Sequence, residues 1–118
     1  MDIREKTFNF SLLIMELCKN LSRKEKEFIL SRQLLRAGTS IGAQVEEAQA
    51  AQSKKDFVAK MAIASKEARE TNYWLRLLEK SNYLGSYDKS NHIISESNEI
   101  IRMLTKIVKT SMENLKEK

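Results

Sequence analysis

The residues of this sequence that could carry out chemistry are one histidine, one cysteine and two pairs of glutamates. A di-metal centre in a helical protein needs inward carboxylates and a Glu-x-x-His pair from each of two helices. His92 has no glutamate three residues before it. No histidine accompanies the pair Glu67 and Glu70 at the spacing of this motif, and none accompanies the adjacent Glu46 and Glu47. The sequence therefore predicts no metal site and no cofactor.

Nucleophilic catalysis is also poorly supported. Cys18 and His92 are the one conceivable nucleophile pair, but the position of Cys18 beside Leu17 and near Leu21 is typical of a small core residue. There is no glycine-rich phosphate loop. Glu67 and Glu70 are expected to form salt bridges, with Arg36 or with another basic residue. We predict that the protein is not an enzyme.

Basic residues give a second, weaker indication of function. The net charge is +5, and the basic excess lies in residues 22–36, 53–81 and 99–118. Such an excess permits sequence-independent contacts with the phosphates of RNA or DNA. An ordinary solvated surface explains the same charges equally well, and both readings stay open. The candidate nucleic-acid-binding residues are Arg23, Lys24, Lys26, Arg32, Arg36, Lys54, Lys55, Arg102, Lys106 and Lys109.

The elements that position these residues are predicted to be a few long helices. The chain has 118 residues, no proline and three glycines, which is too few turn formers for a small sheet protein. We predict one domain over residues 1–118, with no membrane span and no signal peptide. A single cysteine permits no internal disulfide and fits the cytoplasm.

Apolar spacing and capping residues locate four helices. Asp2 is predicted to cap the first helix, and Ser22 with Glu25 is predicted to cap the second, which spans residues 24–51. Ser53 with Asp56 is predicted to cap the third helix, and Ser86 is predicted to start the fourth. The predicted apolar stripe of the first helix is Phe10, Leu13 or Ile14, Leu17 and Leu21, and that of the second is Phe28, Leu34 or Leu35, Ile41, Val45 and Ala48. The predicted stripe of the third helix is Phe57, Met61, Ala64, Ala68, Thr71, Leu75 and Leu78. The predicted stripe of the fourth helix is Ile94, Ser97, Ile101, Leu104, Val108, Ser111 and Leu115.

Short loops between these helices predict an all-α, antiparallel up-down-up-down four-helix bundle. Close packing of a neighbouring helix is the favoured reason for Gly38 and Gly42, and a kink or a functional backbone contact is the alternative. Apolar residues beside the stripes indicate either a well-filled core or a self-association surface, and we favour a homo-oligomer. These additional residues are Phe8, Leu12, Tyr73, Trp74, Leu77, Ile93, Ile100, Met103 and Ile107.

Three segments carry a resemblance to a known family: residues 33–48 (QLLRAGTSIGAQVEEA), 56–60 (DFVAK) and 64–75 (ASKEARETNYWL). They resemble the four-helix bundle proteins encoded in intervening sequences of bacterial 23S ribosomal RNA genes, often labelled S23 ribosomal protein. Accessory variability determinant proteins of diversity-generating retroelements look like relatives. Gln44 departs from the asparagine usual in the family. The family's recurrent residues fall on Arg36, Ser40, Glu46, Phe57, Lys60, Glu67, Glu70, Thr71, Tyr73 and Trp74.

The resemblance implies a homopentameric ring, suspected binding of RNA or DNA, and no enzymatic activity. Two hypotheses follow. The first is an oligomeric bundle that binds structured nucleic acid through its phosphates. The second is an interaction module whose apolar flanks grip a protein partner, such as a reverse transcriptase.

Overall fold

The computed structural model describes residues 1–116, which form four helices: α1 (Ile3–Arg23), α2 (Leu30–Gln49), α3 (Lys54–Lys80) and α4 (Ser90–Lys116). Each helix packs against the next one along the chain, and α4 packs against α1. This arrangement confirms the predicted four-helix bundle. The predicted domain, residues 1–118, includes residues 117 and 118, which lie outside the described residues. None of the helices within residues 1–116 is long and apolar enough to cross a bilayer.

Helix α1 begins where the sequence predicts. The Asp2 carboxylate accepts a hydrogen bond of 2.9 Å from the amide of Glu5, which satisfies one free donor of the first turn. Leu13 and Ile14 were alternative members of the apolar stripe, and the structure buries Ile14 completely and Leu13 only in part. The remaining members, Phe10, Leu17 and Leu21, are buried as predicted.

The predicted start of the second helix is wrong. Ser22 lies inside α1, where its hydroxyl donates to the carbonyl of Cys18 at 3.2 Å instead of capping a new helix. Residues 24–29 form a loop in which Lys26 adopts a positive φ of 56°, a conformation that interrupts a helix. The N-cap residue of α2, Ile29, makes no side-chain capping bond; the Glu27 carboxylate, two residues earlier, instead accepts from the free amide of Ser31 at 2.8 Å.

This boundary also changes the core of α2. Phe28 lies in the loop and is 56% exposed, so its predicted core position is wrong. Leu34 is buried and Leu35 is exposed, which decides between the two alternatives. The helix ends at Gln49, two residues before the predicted end.

Helix α3 follows the prediction closely. The Ser53 hydroxyl accepts from the amide of Asp56 at 3.0 Å, and the Asp56 carboxylate accepts from the amide of Gln52 at 3.2 Å. The Ser53 cap is therefore formed, but Asp56 reaches the amide of the residue before the cap and not that of Ser53 itself, as a capping box would require. The predicted heptad positions from Met61 to Leu78 are buried, and Phe57 is half-buried.

Helix α4 starts at Ser90 and not at Ser86. Ser86 instead accepts a hydrogen bond of 3.0 Å from the Asn20 side chain and donates to Glu25, which joins the α3–α4 loop to the end of α1. The buried positions of α4 are Ile93, Ser97, Ile100 and Leu104. The predicted stripe chose the second member of each Ile-Ile pair, but the first member faces the core.

Candidate nucleic-acid interface

Four of the candidate cations cluster at the end of the bundle that holds the α1–α2 loop. Arg23 ends α1, Lys24 and Lys26 lie in the loop, and Arg32 lies in the first turn of α2. All four side chains are exposed. Within residues 1–116, no ion pair or side-chain hydrogen bond compensates any of them. We call these four residues the loop cations.

The acidic residues of the same loop offset part of its positive charge, but within residues 1–116 they form no ion pair with the loop cations. Glu25 accepts from the hydroxyl of Ser86, and Glu27 accepts from the amide of Ser31 at 2.8 Å. Both carboxylates thus bond to neutral donors. Backbone bonds of 2.9 Å from Lys24 to Asn20 and from Glu27 to Leu21 hold the loop in shape. The positive charge of the loop is therefore presented on an ordered backbone.

The neighbouring α3–α4 loop has a different electrostatic character. Glu16 accepts from the Tyr87 hydroxyl at 2.9 Å and forms an ion pair with Lys89 at 3.2 Å. These two hydrogen bonds hold the pKa of Glu16 below its usual value. Burial raises the pKa of Tyr87, and the bond to Glu16 adds to that shift. Lys89 is thus compensated, and a phosphate meets less positive charge on this side of the bundle.

Arg36 is a candidate cation that the structure places in an ion-pair cluster. It contacts the carboxylates of Glu67, at 3.3 Å, and Glu70, and the Trp74 indole donates to Glu70 at 3.0 Å. The sequence left open which basic residue pairs with Glu67 and Glu70, and in the structure that residue is Arg36. With two carboxylates beside it, Arg36 links α2 to α3 and contributes no net positive charge.

The other family residues serve helix packing and helix ends. Hydroxyls of Ser40 and Thr71 donate to carbonyls four residues earlier, at 2.6 and 2.8 Å. Lys60 bonds to the Asp56 carboxylate at 2.8 Å, which ties it to the start of α3. Glu46 forms an exposed ion pair of 3.2 Å with Arg4 across α1 and α2.

Two aromatic family residues contact each other on the surface of α3. The rings of Tyr73 and Trp74 meet edge to face with centroids 5.2 Å apart. The Arg76 guanidinium lies 5.9 Å from the centroid of the Tyr73 ring. Tyr73 is half exposed, while Trp74 and Phe57 pack against the core.

The remaining candidate cations lie away from the loop cations. Lys54 and Lys55 begin α3 at the opposite end of the bundle, Lys106 and Lys109 lie on the second half of α4, and Arg102 lies near the middle of α4. Helix α1, with 21 residues, separates the two ends by roughly 30 Å. The structure therefore does not bring the ten candidates into one patch.

Sequence reasoning missed two residues near the loop cations. Lys19 is exposed on α1 and, with Arg32, lines a cavity of about 340 Å³. Phe28 lines the same cavity from the loop. Lys19 escaped notice because it precedes the basic stretch that begins at residue 22, and Phe28 because it was assigned to the core.

A second surface feature is an apolar strip along α1 and α2. Phe8, Leu12 and Met15 are exposed along α1, beside Gly42 and Ala43 of α2, around a cavity of about 420 Å³. Of the two alternatives left open for Phe8 and Leu12, core filling does not apply, because both side chains are exposed. By contrast, Ile93 and Ile100 belong to the core and add nothing to such a surface.

The conceivable Cys18–His92 pair does not form. The Cys18 thiol donates to the Ser31 carbonyl at 3.3 Å, and burial raises its pKa to about 12. His92 is exposed at a different cavity, beside Lys6 and Asn9. Among residues 1–116, no three His, Cys, Asp or Glu side chains come together in a way that could hold a metal ion.

Comparison with known proteins agrees with the fold. A crystal structure of a protein of unknown function from the S23 ribosomal protein family of Bacteroides thetaiotaomicron VPI-5482 superposes with a TM-score of 0.86. It is 44% identical to this chain, and the match covers 92% of this chain and 99% of that one. No curated protein matches the sequence. A model of the 23S rRNA-intervening sequence protein family matches residues 1–106. Because that match spans most of the sequence, the chain belongs to the 23S rRNA-intervening sequence protein family.

Proposed function

We propose that this protein is a non-enzymatic, homo-oligomeric bundle of the cytoplasm that binds structured nucleic acid, preferentially RNA, through phosphate contacts. The observation that carries the proposal is the cluster of loop cations. Four exposed cations that form no ion pair within residues 1–116 share one end of a small bundle, and they outnumber the two acidic residues between them, which bond to neutral donors.

The physical basis is the release of counterions from the nucleic acid. Each phosphate that a lysine or arginine neutralises frees condensed cations, so affinity falls steeply as salt rises. Such contacts carry no base information by themselves. The proposal therefore expects binding to many structured RNAs with similar affinity, and strong weakening by salt.

Self-association would multiply this effect. Within the apolar strip, the exposed Phe8 and Leu12 form a surface that a second copy of the chain can cover. In a ring, each subunit would add its own set of loop cations to the same field. The family resemblance suggests five subunits, and we propose a homopentamer on that basis.

Direct titration tests the proposal. The purified, nuclease-treated protein is mixed with a labelled RNA hairpin, and affinity is measured at increasing salt concentrations. Binding whose logarithm falls linearly with the logarithm of salt supports phosphate contacts. Absence of binding at low salt, where such contacts are strongest, rules the proposal out.

The apolar strip also supports a second candidate function, that of a protein-interaction module. A partner such as a reverse transcriptase could cover Phe8 and Leu12 in place of a second subunit. Recovery of one defined protein partner that resists nuclease treatment would favour this function. Loss of that partner on nuclease treatment would favour nucleic-acid binding instead.

A further inference from the structure

Two large apolar residues are exposed in the loop that carries the positive charge. Phe28 is 56% exposed and Ile29 is 77% exposed, whereas Leu30, which follows them, is partly buried against the core. The α1–α2 loop therefore presents an aromatic ring to solvent among four cations. In nucleic-acid-binding proteins, that combination serves base stacking next to phosphate contacts.

Hydrogen bonds fix the backbone beside Phe28. The adjacent Glu27 is held at both its backbone and its side chain, through bonds of 2.9 Å to Leu21 and 2.8 Å to Ser31. The Ser31 hydroxyl bonds back to the Glu27 carbonyl at 2.9 Å. Phe28 is therefore carried on an ordered backbone, which reduces the freedom that the loop loses when a ligand stacks on the ring.

Phe28 forms one side of the cavity of about 340 Å³ between α1 and α2. Met15, Cys18 and Leu35 provide its other apolar walls, and Ser22 adds a hydroxyl. Because burial raises the pKa of Cys18 to about 12, the thiol stays neutral and the wall stays uncharged. Lys19 and Arg32 supply positive charge at the same cavity.

We infer that this cavity binds one unpaired nucleobase, stacked on the Phe28 ring, while Lys19 and Arg32 contact the phosphates on either side of it. The inference rests on the proposed function and narrows its ligand to RNA with unpaired bases. A base inside a duplex is stacked on its neighbours and cannot enter the cavity, whereas a base in a loop, a bulge or a single strand can.

Charge and shape together favour a nucleotide over a purely apolar ligand. The walls suit the flat face of a base, and the two cations suit an anionic backbone. The Ser22 hydroxyl shares its one proton between the carbonyls of Cys18 and Lys19, and its oxygen is left to accept from a base N–H. An apolar ligand would leave both cations without a partner.

The test compares Phe28→Ala, Phe28→Tyr and Ile29→Ala with the unaltered protein. Each is titrated with single-stranded oligouridine and with a blunt RNA duplex. We expect Phe28→Ala to weaken oligouridine binding about 5- to 100-fold, which corresponds to the loss of one stacked base, and to leave duplex binding unchanged. Phe28→Tyr keeps a ring and should retain affinity. Ile29→Ala removes an apolar residue that is even more exposed than Phe28, and it should change the affinity for neither RNA.

The inference is wrong if Phe28→Ala leaves the affinity for oligouridine unchanged. It is also wrong if the unaltered protein binds the duplex but not oligouridine. Neither result contradicts the proposed function. If the unaltered protein binds neither RNA, both the inference and the proposed function fail. Melting temperatures of the variants, expected to match that of the unaltered protein because Phe28 lies outside the core, show that any loss of affinity is not a loss of fold.

Discussion

Ile14 of α1 fills the space that a side chain at position 38 of α2 would need. A β-carbon on Gly38 would lie 2.7 Å from Cγ1 of Ile14 and 2.8 Å from its Cγ2. At Gly42, one turn further along α2, the nearest atoms are 3.3 Å away, on Ser11 and Thr7. The close approach of a neighbouring helix, favoured from the sequence, is thus confirmed and is tightest at Gly38.

Gly38→Ala is therefore expected to destabilise the protein even though alanine favours helices. Overpacking against Ile14 costs about 1–3 kcal/mol, and the gain in helix propensity of about 1 kcal/mol offsets only part of it. Gly42→Ala is the matched control and should change the free energy of unfolding by less than about 1 kcal/mol. Urea unfolding measures both. Equal effects of the two substitutions would contradict this account of the packing.

Lys6 is nearly buried between α1 and α4, 3.0 Å from Glu96 and 3.2 Å from Glu99. Burial by itself lowers the pKa of Lys6, but the hydrogen bonds to the two glutamates outweigh it, so the net shift is upward. Lys6→Met keeps the packing and removes the charge, which leaves two acidic neighbours without a partner. We expect a loss of about 1–2 kcal/mol in chemical unfolding at neutral pH.

Acidification tests the partners of Lys6. If both glutamates are neutralised at low pH, the loss caused by Lys6→Met should shrink there. An equal loss at neutral and acidic pH would show that Lys6 acts through packing alone. Lys66→Met, on the exposed surface of α3, provides the control and should have little effect at either pH.

The helical spacing of apolar residues predicted much of this fold, because at most core-facing positions only one apolar residue fits that spacing. It failed where two apolar residues are adjacent, as at Ile93-Ile94 and Ile100-Ile101, since a pattern of threes and fours accepts either member. It also failed at Ser22, whose spacing to Glu25 is that of a cap although Leu21 completes the stripe of α1. Serine can bond to a carbonyl of its own helix, and local sequence does not distinguish that bond from a cap.

The candidate site was predictable in composition but not in arrangement. Sequence alone indicated basic stretches, yet it could not show that Arg36 pairs with Glu67 and Glu70 or that Glu25 and Glu27 bond to neutral donors. Those contacts depend on how helices meet across the bundle. They determine which cations remain uncompensated, and hence that the loop cations form the strongest candidate.

The start of α3 should show a simple dependence on pH. Hydrogen bonds from Lys60 and from the Gln52 amide hold the pKa of Asp56 below its usual value. A group with a lowered pKa stabilises the fold above its ordinary range, near pH 4, and loses this contribution as pH falls through its folded value. Asp56→Asn should thus melt at a lower temperature than the unaltered protein at pH 7, and the gap should close towards pH 3. A constant gap would mean that charge is not involved.

Substitutions in the apolar strip are expected to dissociate the proposed oligomer. Replacing Phe8 and Leu12, which are 61% and 52% exposed, with glutamate places charge on the proposed contact between subunits without disturbing the core. Light scattering after size exclusion should then report the mass of the single chain, 13.7 kDa. Ile63→Glu with Met112→Glu, at exposed apolar positions on other helices, should keep the oligomer. The assignment of the subunit contact to the apolar strip is wrong if the variant with glutamate at positions 8 and 12 stays oligomeric. It is also wrong if the unaltered protein is itself a monomer.

Salt-dependent RNA affinity is the decisive measurement for the assignment of the interface to the loop cations. The unaltered protein, the loop variant Arg23→Gln/Lys24→Gln/Lys26→Gln and the far-end variant Lys55→Gln/Lys106→Gln/Lys109→Gln are titrated with one RNA hairpin at several salt concentrations. The last two carry the same change in charge at opposite ends of the bundle. We predict weaker binding for the loop variant, with a logarithmic salt slope that is shallower by about 2–3, and a much smaller change for the far-end variant. Equal affinity and slope for the unaltered protein and the loop variant would contradict the assignment of the interface to the loop cations.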